Sequence, residues 1–186
     1  MRQDYETSKL YYGFPVILLG YKDANFKYNF TTNSSSYTLG DMMVIGFHSR
    51  SNAAKQITNF KEFTVNVPNE NLMNEIEIGG FFHKVDKIPL SKLEYEIGEF
   101  VDAPLFTACP ISIECKVENV VMYGENANVI ASIKKRVVNS NLIEDGKLNS
   151  DKLNPVIFLG DEHEKIYRYL RNLSDKAGKF YKSQFE

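Results

Sequence analysis

Apolar positions along this chain recur with a period of two more often than with the 3.6 of a helix, the pattern of strands that bury one face. The clearest run is Ile111 to Glu118, where Ile111, Ile113, Cys115 and Val117 alternate with Ser112, Glu114, Lys116 and Glu118. One face is predicted to enter a core and the other to meet solvent or a partner sheet. Glu62 to Val67 repeats the pattern, with Phe63, Val65 and Val67 facing one way and Thr64 and Asn66 the other. Asp41 to His48 (DMMVIGFH) reads as a buried strand. Phe14 to Tyr21 (FPVILLGY) is a short apolar segment, and a turn at Lys22-Asp23-Ala24-Asn25 leads to a second extended segment from Lys27, a hairpin signal. Val120 to Tyr123, a turn at Gly124-Glu125-Asn126-Ala127-Asn128, and Val129 to Val138 predict a second hairpin, and Pro155 to Leu159 a last short strand.

Two segments carry the helical period instead. Asn52 to Phe60 puts Ala53, Ile57 and Phe60 on one face, and Glu162 to Leu173 does the same with Ile166, Leu170 and Leu173. Asn69 to Phe100 is the least legible stretch: Asn71 to Ile78 suits one or two helical turns, and the rest reads as a loop-rich crossing. Strands outnumber helices and are separated by turns rather than by long helices. The predicted fold class is therefore mainly β with a few helices, an antiparallel barrel rather than a parallel doubly wound sheet.

Size and charge narrow the picture. A chain of 186 residues suits one well-packed core, so residues 1–186 are expected to form a single domain. Twenty-two basic residues against 24 acidic ones give a net charge of −2, with no electrostatic footprint for nucleic acid or an anionic membrane, and neither is expected as a partner. Met1 to Lys9 is polar and no apolar run approaches the roughly 18 residues of a membrane span, so the expected location is the cytoplasm. Cys109 and Cys115, six positions apart in what reads as one strand, are held too far apart to bridge, which fits a reducing compartment. With His48, His83 and His163 they match no metal-ligand spacing, and no metal is expected.

Candidate chemistry concentrates between Asn29 and Lys55 (NFTTNSSSYTLGDMMVIGFHSRSNAAK), where two polar clusters flank one apolar strand. A phosphate needs convergent donors, and the run Thr31, Thr32, Asn33, Ser34, Ser35, Ser36 has the hydroxyls, amides and turn-forming backbone that supply them. The second cluster, Ser49-Arg50-Ser51-Asn52, opens the predicted helix. Its N-terminus presents unpaired N–H groups and about half a positive charge, to which Arg50 and Lys55 add. The bland reading stands beside this one: a Ser/Thr/Asn run is more often a surface turn, and Ser51 or Asn52 an ordinary N-cap. The combination of both clusters in one strand-loop-strand-loop-helix unit favours a ligand.

The order of these segments resembles the flavin reductase-like FMN-binding proteins. The likeness runs through Phe14-Pro15-Val16-Ile17-Leu18-Leu19, Asn29 and Thr31 to Ser36, then Ser49-Arg50-Ser51-Asn52 into Ala53-Ala54-Lys55-Gln56-Ile57, then Glu62-Phe63-Thr64-Val65-Asn66. It continues in Ala103-Pro104, Glu114-Cys115-Lys116-Val117, Pro155-Val156-Ile157-Phe158 and Tyr167-Arg168-Tyr169-Leu170, and covers roughly Tyr11 to Gly178. The resemblance implies an antiparallel split β-barrel, a homodimer, FMN as cofactor and NADH or NADPH as electron donor. It assigns Asn29, Thr31, Thr32, Asn33, Ser34, Ser35 and Ser36 to the flavin ring and phosphate, and Ser49, Arg50, Ser51, Asn52 and Lys55 to the phosphate. Ala53 and Gln56 depart from the Thr and Asn often found in the family, which removes one hydroxyl contact and shifts weight to Arg50.

No catalytic residue is expected from the chain itself, because the flavin accepts hydride at its own N5 and the protein supplies position and electrostatics. His83 and His163 are candidates to lie over the flavin or aid nicotinamide binding. Three readings stay open: an NAD(P)H-dependent flavin reductase, a non-catalytic FMN carrier or storage protein, and a split barrel that binds another ligand or none. No G-x-G-x-x-G is present to declare a dinucleotide.

Overall fold

The computed structural model describes residues 2–171 together with Ser174, Asp175 and Ala177. In chain order its strands are β1 (Leu10–Pro15), β2 (Ile17–Asp23), β3 (Lys27–Asn33), β4 (Ser36–Leu39), β5 (Met42–His48), β6 (Glu62–Val67) and β7 (Tyr95–Ile97). They continue as β8 (Pro104–Phe106), β9 (Ile111–Tyr123), β10 (Asn126–Val138), β11 (Ile143–Glu144), β12 (Lys147–Leu148), β13 (Ile157–Asp161) and β14 (Lys165–Arg168). The α-helices are α1 (Asn52–Phe60), α2 (Met73–Phe81) and α3 (Ile88–Ser91).

Seven strands form one antiparallel sheet in the order β3-β2-β6-β9-β10-β5-β4. Ile17, Leu19 and Tyr21 of β2 pack in the same buried cluster as Met43, Ile45 and Phe47 of β5, although three strands separate β2 from β5. Only a sheet curled on itself can bring them together, so the architecture is a barrel. Its two edge strands, β3 and β4, do not pair with each other, which makes it a split one. Helix α1 inserts Ala53, Ala54 and Ile57 into the core. A second apolar cluster, with Val16 just before β2 and Leu18 and Phe30 on the other face of β2 and β3, is covered by Ile76 and Ile78 of α2 and by Leu93, Phe106 and Val156.

The expected hairpin, α1 and β6 are found where the pattern put them. Phe14 to Tyr21 is two strands: the chain changes sheets at Pro15, which lacks the N–H a ladder needs, so that β1 pairs with β13 and β2 joins the barrel. Ile111 to Glu118 and Val120 to Tyr123 are one strand, β9. Between the facing pairs Ala131↔Val117 and Ile130↔Asn119 the residue Glu118 is extra, a bulge that reverses the in-out phase of the apolar positions. The turn that follows is tighter than expected, since Tyr123 faces Asn126 and only Gly124 and Glu125 lie between, with Gly124 at φ +56°.

The face of β9 expected to meet solvent or a partner sheet is instead buried at Ser112 and Glu114, and with the same face of β6 it lies beneath the chain's own segment from Gly98 to Phe106. Thr64 Oγ1 donates to the Pro104 carbonyl (2.5 Å), and Asn66 Oδ1 accepts from Phe106 N (3.0 Å) and Ser112 Oγ (2.7 Å). Glu114, fully buried, accepts from Phe100 N through Oε2 (2.6 Å).

The helix expected over Glu162 to Leu173 is not formed across the described part of that span. Lys165–Arg168 is β14, paired with β13, and Leu173 lies outside the described residues. The Asp161 carboxylate accepts from His163 N (2.7 Å) and Glu164 N (3.1 Å), closing a tight turn, and the Tyr167 ring then packs on Phe158 at 5.6 Å. Local turn chemistry and aromatic pairing outweigh a coincidental helical spacing. Cys109 sits in the turn before β9 rather than in a shared strand; both thiols are free and buried, and burial pushes each up to about 12. Among the described residues no helix is long and apolar enough to cross a membrane.

Candidate functional site

The N-terminus of α1 is built by Ser51, whose extended backbone (φ −63°, ψ 150°) lets Oγ accept from Ala54 N at 3.1 Å. The first N–H groups of such a helix have no intrahelical partner and carry a partial positive charge, and no acidic side chain lies in this first turn to cancel it. They border a cleft of about 460 Å³, within the roughly 300–1,000 Å³ that small-molecule sites occupy.

Another wall of this cleft is the loop from Phe82 to Lys87. Asn29 anchors it from β3, donating through Nδ2 to the Val85 carbonyl (2.9 Å) and accepting from Lys87 N (3.3 Å). Lys87 is 6% exposed and has no carboxylate partner among the described residues. Its Nζ donates to the Gly79 carbonyl (2.8 Å) and stands 5.9 Å from the centre of the Phe30 ring. Burial lowers its pKa to about 8. Gly79 permits this arrangement by letting α2 lie on β3, because a Cβ there would stand 2.3 Å from Thr32 Oγ1 and 2.9 Å from Thr32 N. The Thr31 hydroxyl reaches the same Gly79 carbonyl at 3.3 Å.

Six of the sequence-predicted residues line this cleft: Asn29, Thr31, Arg50, Ser51, Asn52 and Lys55. They are not equally free to meet a ligand. Asn29 holds the loop, and Asn52 donates to the buried Asp23 carboxylate (2.7 Å) while accepting from Gln56 (3.3 Å). Arg50 pairs with Glu125 at 2.7 Å, and His48 lies 3.5 Å from the same carboxylate. Lys55 is exposed and has no ion-pair partner among the described residues. Tyr21, also in the wall, is buried and its phenol is pushed above the usual range by that burial.

The structure does not bring the remaining candidates into this cleft. Thr32, Asn33 and Ser34 line a different one of about 410 Å³, beside Phe81, Phe158 and Tyr167. Thr32 Oγ1 donates to the Ile76 carbonyl (2.6 Å), and Asn33 spans the turn, donating to the Gly46 carbonyl (2.8 Å) and accepting from Ser35 N (2.6 Å). The Ser35 carbonyl accepts from Gly46 N, Ser36 begins β4, and Ser49 N donates to the Glu125 carbonyl (2.8 Å). His83 lines the first cleft, whereas His163 sits in the β13–β14 turn and lines neither.

Phe82, Lys84, Val85 and Lys87 are the residues of the loop wall that the sequence reading missed. They lie in the stretch without periodicity, and the one signal that could have marked them is the basic spacing of His83, Lys84 and Lys87. The cleft as a whole carries four Lys or Arg side chains, two His and no Asp or Glu. It can attract and orient an anion, and it offers no activated nucleophile. Among the described residues no group of three or more His, Cys, Asp or Glu side chains is placed to hold a metal ion.

A model of the flavin reductase like domain matches residues 12–163. A protein of Bacillus subtilis (strain 168), YdfE, itself uncharacterized, is 22% identical over 94% of this chain and 91% of its own length. Among solved structures, the flavoredoxin from Methanosarcina acetivorans superposes with a TM-score of 0.88 at 22% identity, covering 99% of both chains. The flavoredoxin of Desulfovibrio vulgaris (Miyazaki F) does so with a TM-score of 0.85 at 22% identity, over 96% of this chain and 98% of that one. At these identities the structural likeness is one of fold.

Proposed function

The chain belongs to the flavin reductase-like family, and from that premise we propose that it binds FMN in the cationic cleft and passes hydride or electrons through it, with NADH or NADPH as donor. The observation that carries this reading is the cleft at the N-terminus of α1, whose lining residues include no Asp or Glu and where Ser51, Lys55 and the first-turn N–H groups offer what a phosphate dianion needs. Ser51 and Lys55 would take the phosphate. Thr31 and the buried Lys87 would face the rest of the cofactor. The donor set fits a phosphate ester, and the buried cation without a carboxylate supports an anionic occupant.

Hydride chemistry is what a flavin supplies when bound. The chain's own part is to bind, orient and shield. Lys87 sits where a negative charge gained by the occupant would be offset, and Phe82, half-exposed, offers a flat apolar surface. No side chain is required as nucleophile or proton relay, so a carrier that never meets a nicotinamide nucleotide would look the same at this site.

Absorption spectroscopy separates the two. The purified protein supplied with FMN is expected to hold the flavin through gel filtration, and under anaerobic conditions its bands are expected to bleach with NADH or NADPH. Bands that persist with both donors point to the carrier, and failure to retain FMN removes the flavin reading. We further propose a homodimer: the tip of the β9–β10 hairpin exposes Met122 at 57% and Tyr123 at 80%, apolar surface that a second copy would cover. Sedimentation at micromolar concentration should give twice the mass of the chain.

A further inference from the structure

One ion pair joins the cationic cleft to a hairpin outside it. Arg50 lines the cleft, and its guanidinium is held at 2.7 Å by Glu125, which sits in the two-residue turn between β9 and β10 and does not line the cleft. The other oxygen of the same carboxylate lies 3.5 Å from His48 Nε2, and His48 lines the cleft too, its Nδ1 accepting from Arg50 N (3.4 Å). Two further acids belong to the surroundings. Asp23 accepts from the Asn52 side chain and from the backbone N–H groups of Asn25 and Phe26, and Asp86, in the loop wall, makes no ion pair among the described residues. Glu125 is thus the acid that engages the cations of the cleft.

Turn chemistry does not call for a glutamate here. Short hairpin turns favour Gly, Asn and Asp, and Gly124 already supplies the positive φ. The backbone nevertheless fixes Glu125 against the segment that leads into α1: Ser49 N donates to its carbonyl (2.8 Å), and Asn126 faces His48 in the β10–β5 ladder. The paired side chains are 76% exposed at Arg50 and 62% at Glu125, so water screens them and a stronger anion can take the guanidinium. A phosphate monoester carries about −1.5 to −2 charges and accepts the same forked pair of hydrogen bonds as a carboxylate. Such an exchange breaks one charge-assisted contact for each one it makes, and Arg50 then adds little net affinity.

Resting on the flavin reading, we propose that Glu125 is a positioning residue that restrains the phosphate site: it holds Arg50 in reserve, and the guanidinium passes to the ligand only when the ligand carries a phosphate. The restraint lowers the affinity for FMN and leaves the affinity for riboflavin, which has no phosphate, unchanged. Ser51 and Lys55 keep their part in the site.

The test titrates FMN and riboflavin into flavin-free wild type, Glu125→Gln, Arg50→Ala and the double variant, read by flavin fluorescence at low and at high salt. At low salt Glu125→Gln should bind FMN about three- to fivefold more tightly, with riboflavin within about twofold of the wild type. At high salt the gain for FMN should shrink to less than about twofold. In the Arg50→Ala background, removing the Glu125 charge should move FMN by less than about twofold even at low salt. An unchanged FMN affinity in Glu125→Gln, a gain shared by riboflavin, a gain undiminished by salt, or one that survives Arg50→Ala in full overturns the restraint. A wild type that binds FMN no more tightly than riboflavin overturns the phosphate site itself, and this proposal with it, before any variant is made.

Discussion

Two clefts flank the C-terminal end of α2, and they differ in what they could hold. The one beside α1 is lined by Arg50, Lys55, Lys84 and Lys87 without a carboxylate; the other mixes Phe81, Phe158 and Tyr167 with one glutamate, Glu77, and one lysine, Lys165. The difference teaches that the polar run from Thr31 to Ser36 is not one cradle. Thr31 faces the cationic cleft, whereas Thr32, Asn33 and Ser34 line the aromatic one, and two of these last three spend their side chains on the backbone of neighbouring elements. Donor-rich composition is thus only half of a binding site; the donors must also be unspent.

The sharpest way to break this comparison is at the phosphate. Ser51→Ala with Lys55→Ala should weaken FMN binding by about 1–3 kcal/mol, read by quenching of flavin fluorescence. An unchanged affinity would remove both residues from the site and erase the distinction between the clefts.

Lys87 gives an effect of intermediate size. Its folded pKa of about 8 lies below the ordinary lysine value of 10.5, so the unfolded chain binds the extra proton between those two pH values. The flavin-free protein should therefore gain stability as pH rises from about 8 towards 10.5, by about 1 kcal/mol per pH unit at most, in urea melts. Below about 8 the full cost of burying the charge is present. An anion in the cleft favours the charged amine, so FMN affinity should fall roughly tenfold between pH 8 and 10. Lys87→Met should flatten both profiles. Profiles that stay parallel to the wild type would show that this amine neither feels the cleft nor contributes to it.

The smallest effect belongs to the aromatic cleft. Asn33→Ala removes the hydrogen bond to Gly46 and should lower stability by about 1 kcal/mol in a thermal melt. FMN affinity should move by less than the Ser51/Lys55 pair moves it. An equal loss of affinity would mean that the ligand spans both clefts.

The legible parts of the fold are those whose period matches what covers them. Asn52 to Phe60 is amphipathic and is a helix with one face in the barrel; Met43, Val44 and Ile45 are a continuous apolar run and are buried on both faces of β5. The pattern misled where polar residues were buried. Thr64, Asn66, Ser112 and Glu114 look outward by alternation, yet they pin the segment from Gly98 to Phe106, a contact some 40 residues distant for Asn66 and Phe106. No local period records such a partner.

The site divides in the same way. Its α1 half was readable, because a cap, a helix start and a lysine one turn later lie within seven consecutive residues, Ser49 to Lys55. Its loop half was not, because Lys87 reaches the cleft only through Asn29, 58 positions away. Ile166 shows the converse error, helical spacing in a segment that forms a strand once Asp161 closes the turn before it, with Leu170 past the strand's end.

The central claim is that the cationic cleft holds a flavin by its phosphate, and the most direct measurement is the affinity of the wild-type protein for FMN against riboflavin, which lacks that phosphate. The account predicts FMN tighter by on the order of 100-fold, with the gap mostly closed in the Ser51/Lys55 double variant. Riboflavin bound as tightly as FMN would contradict it.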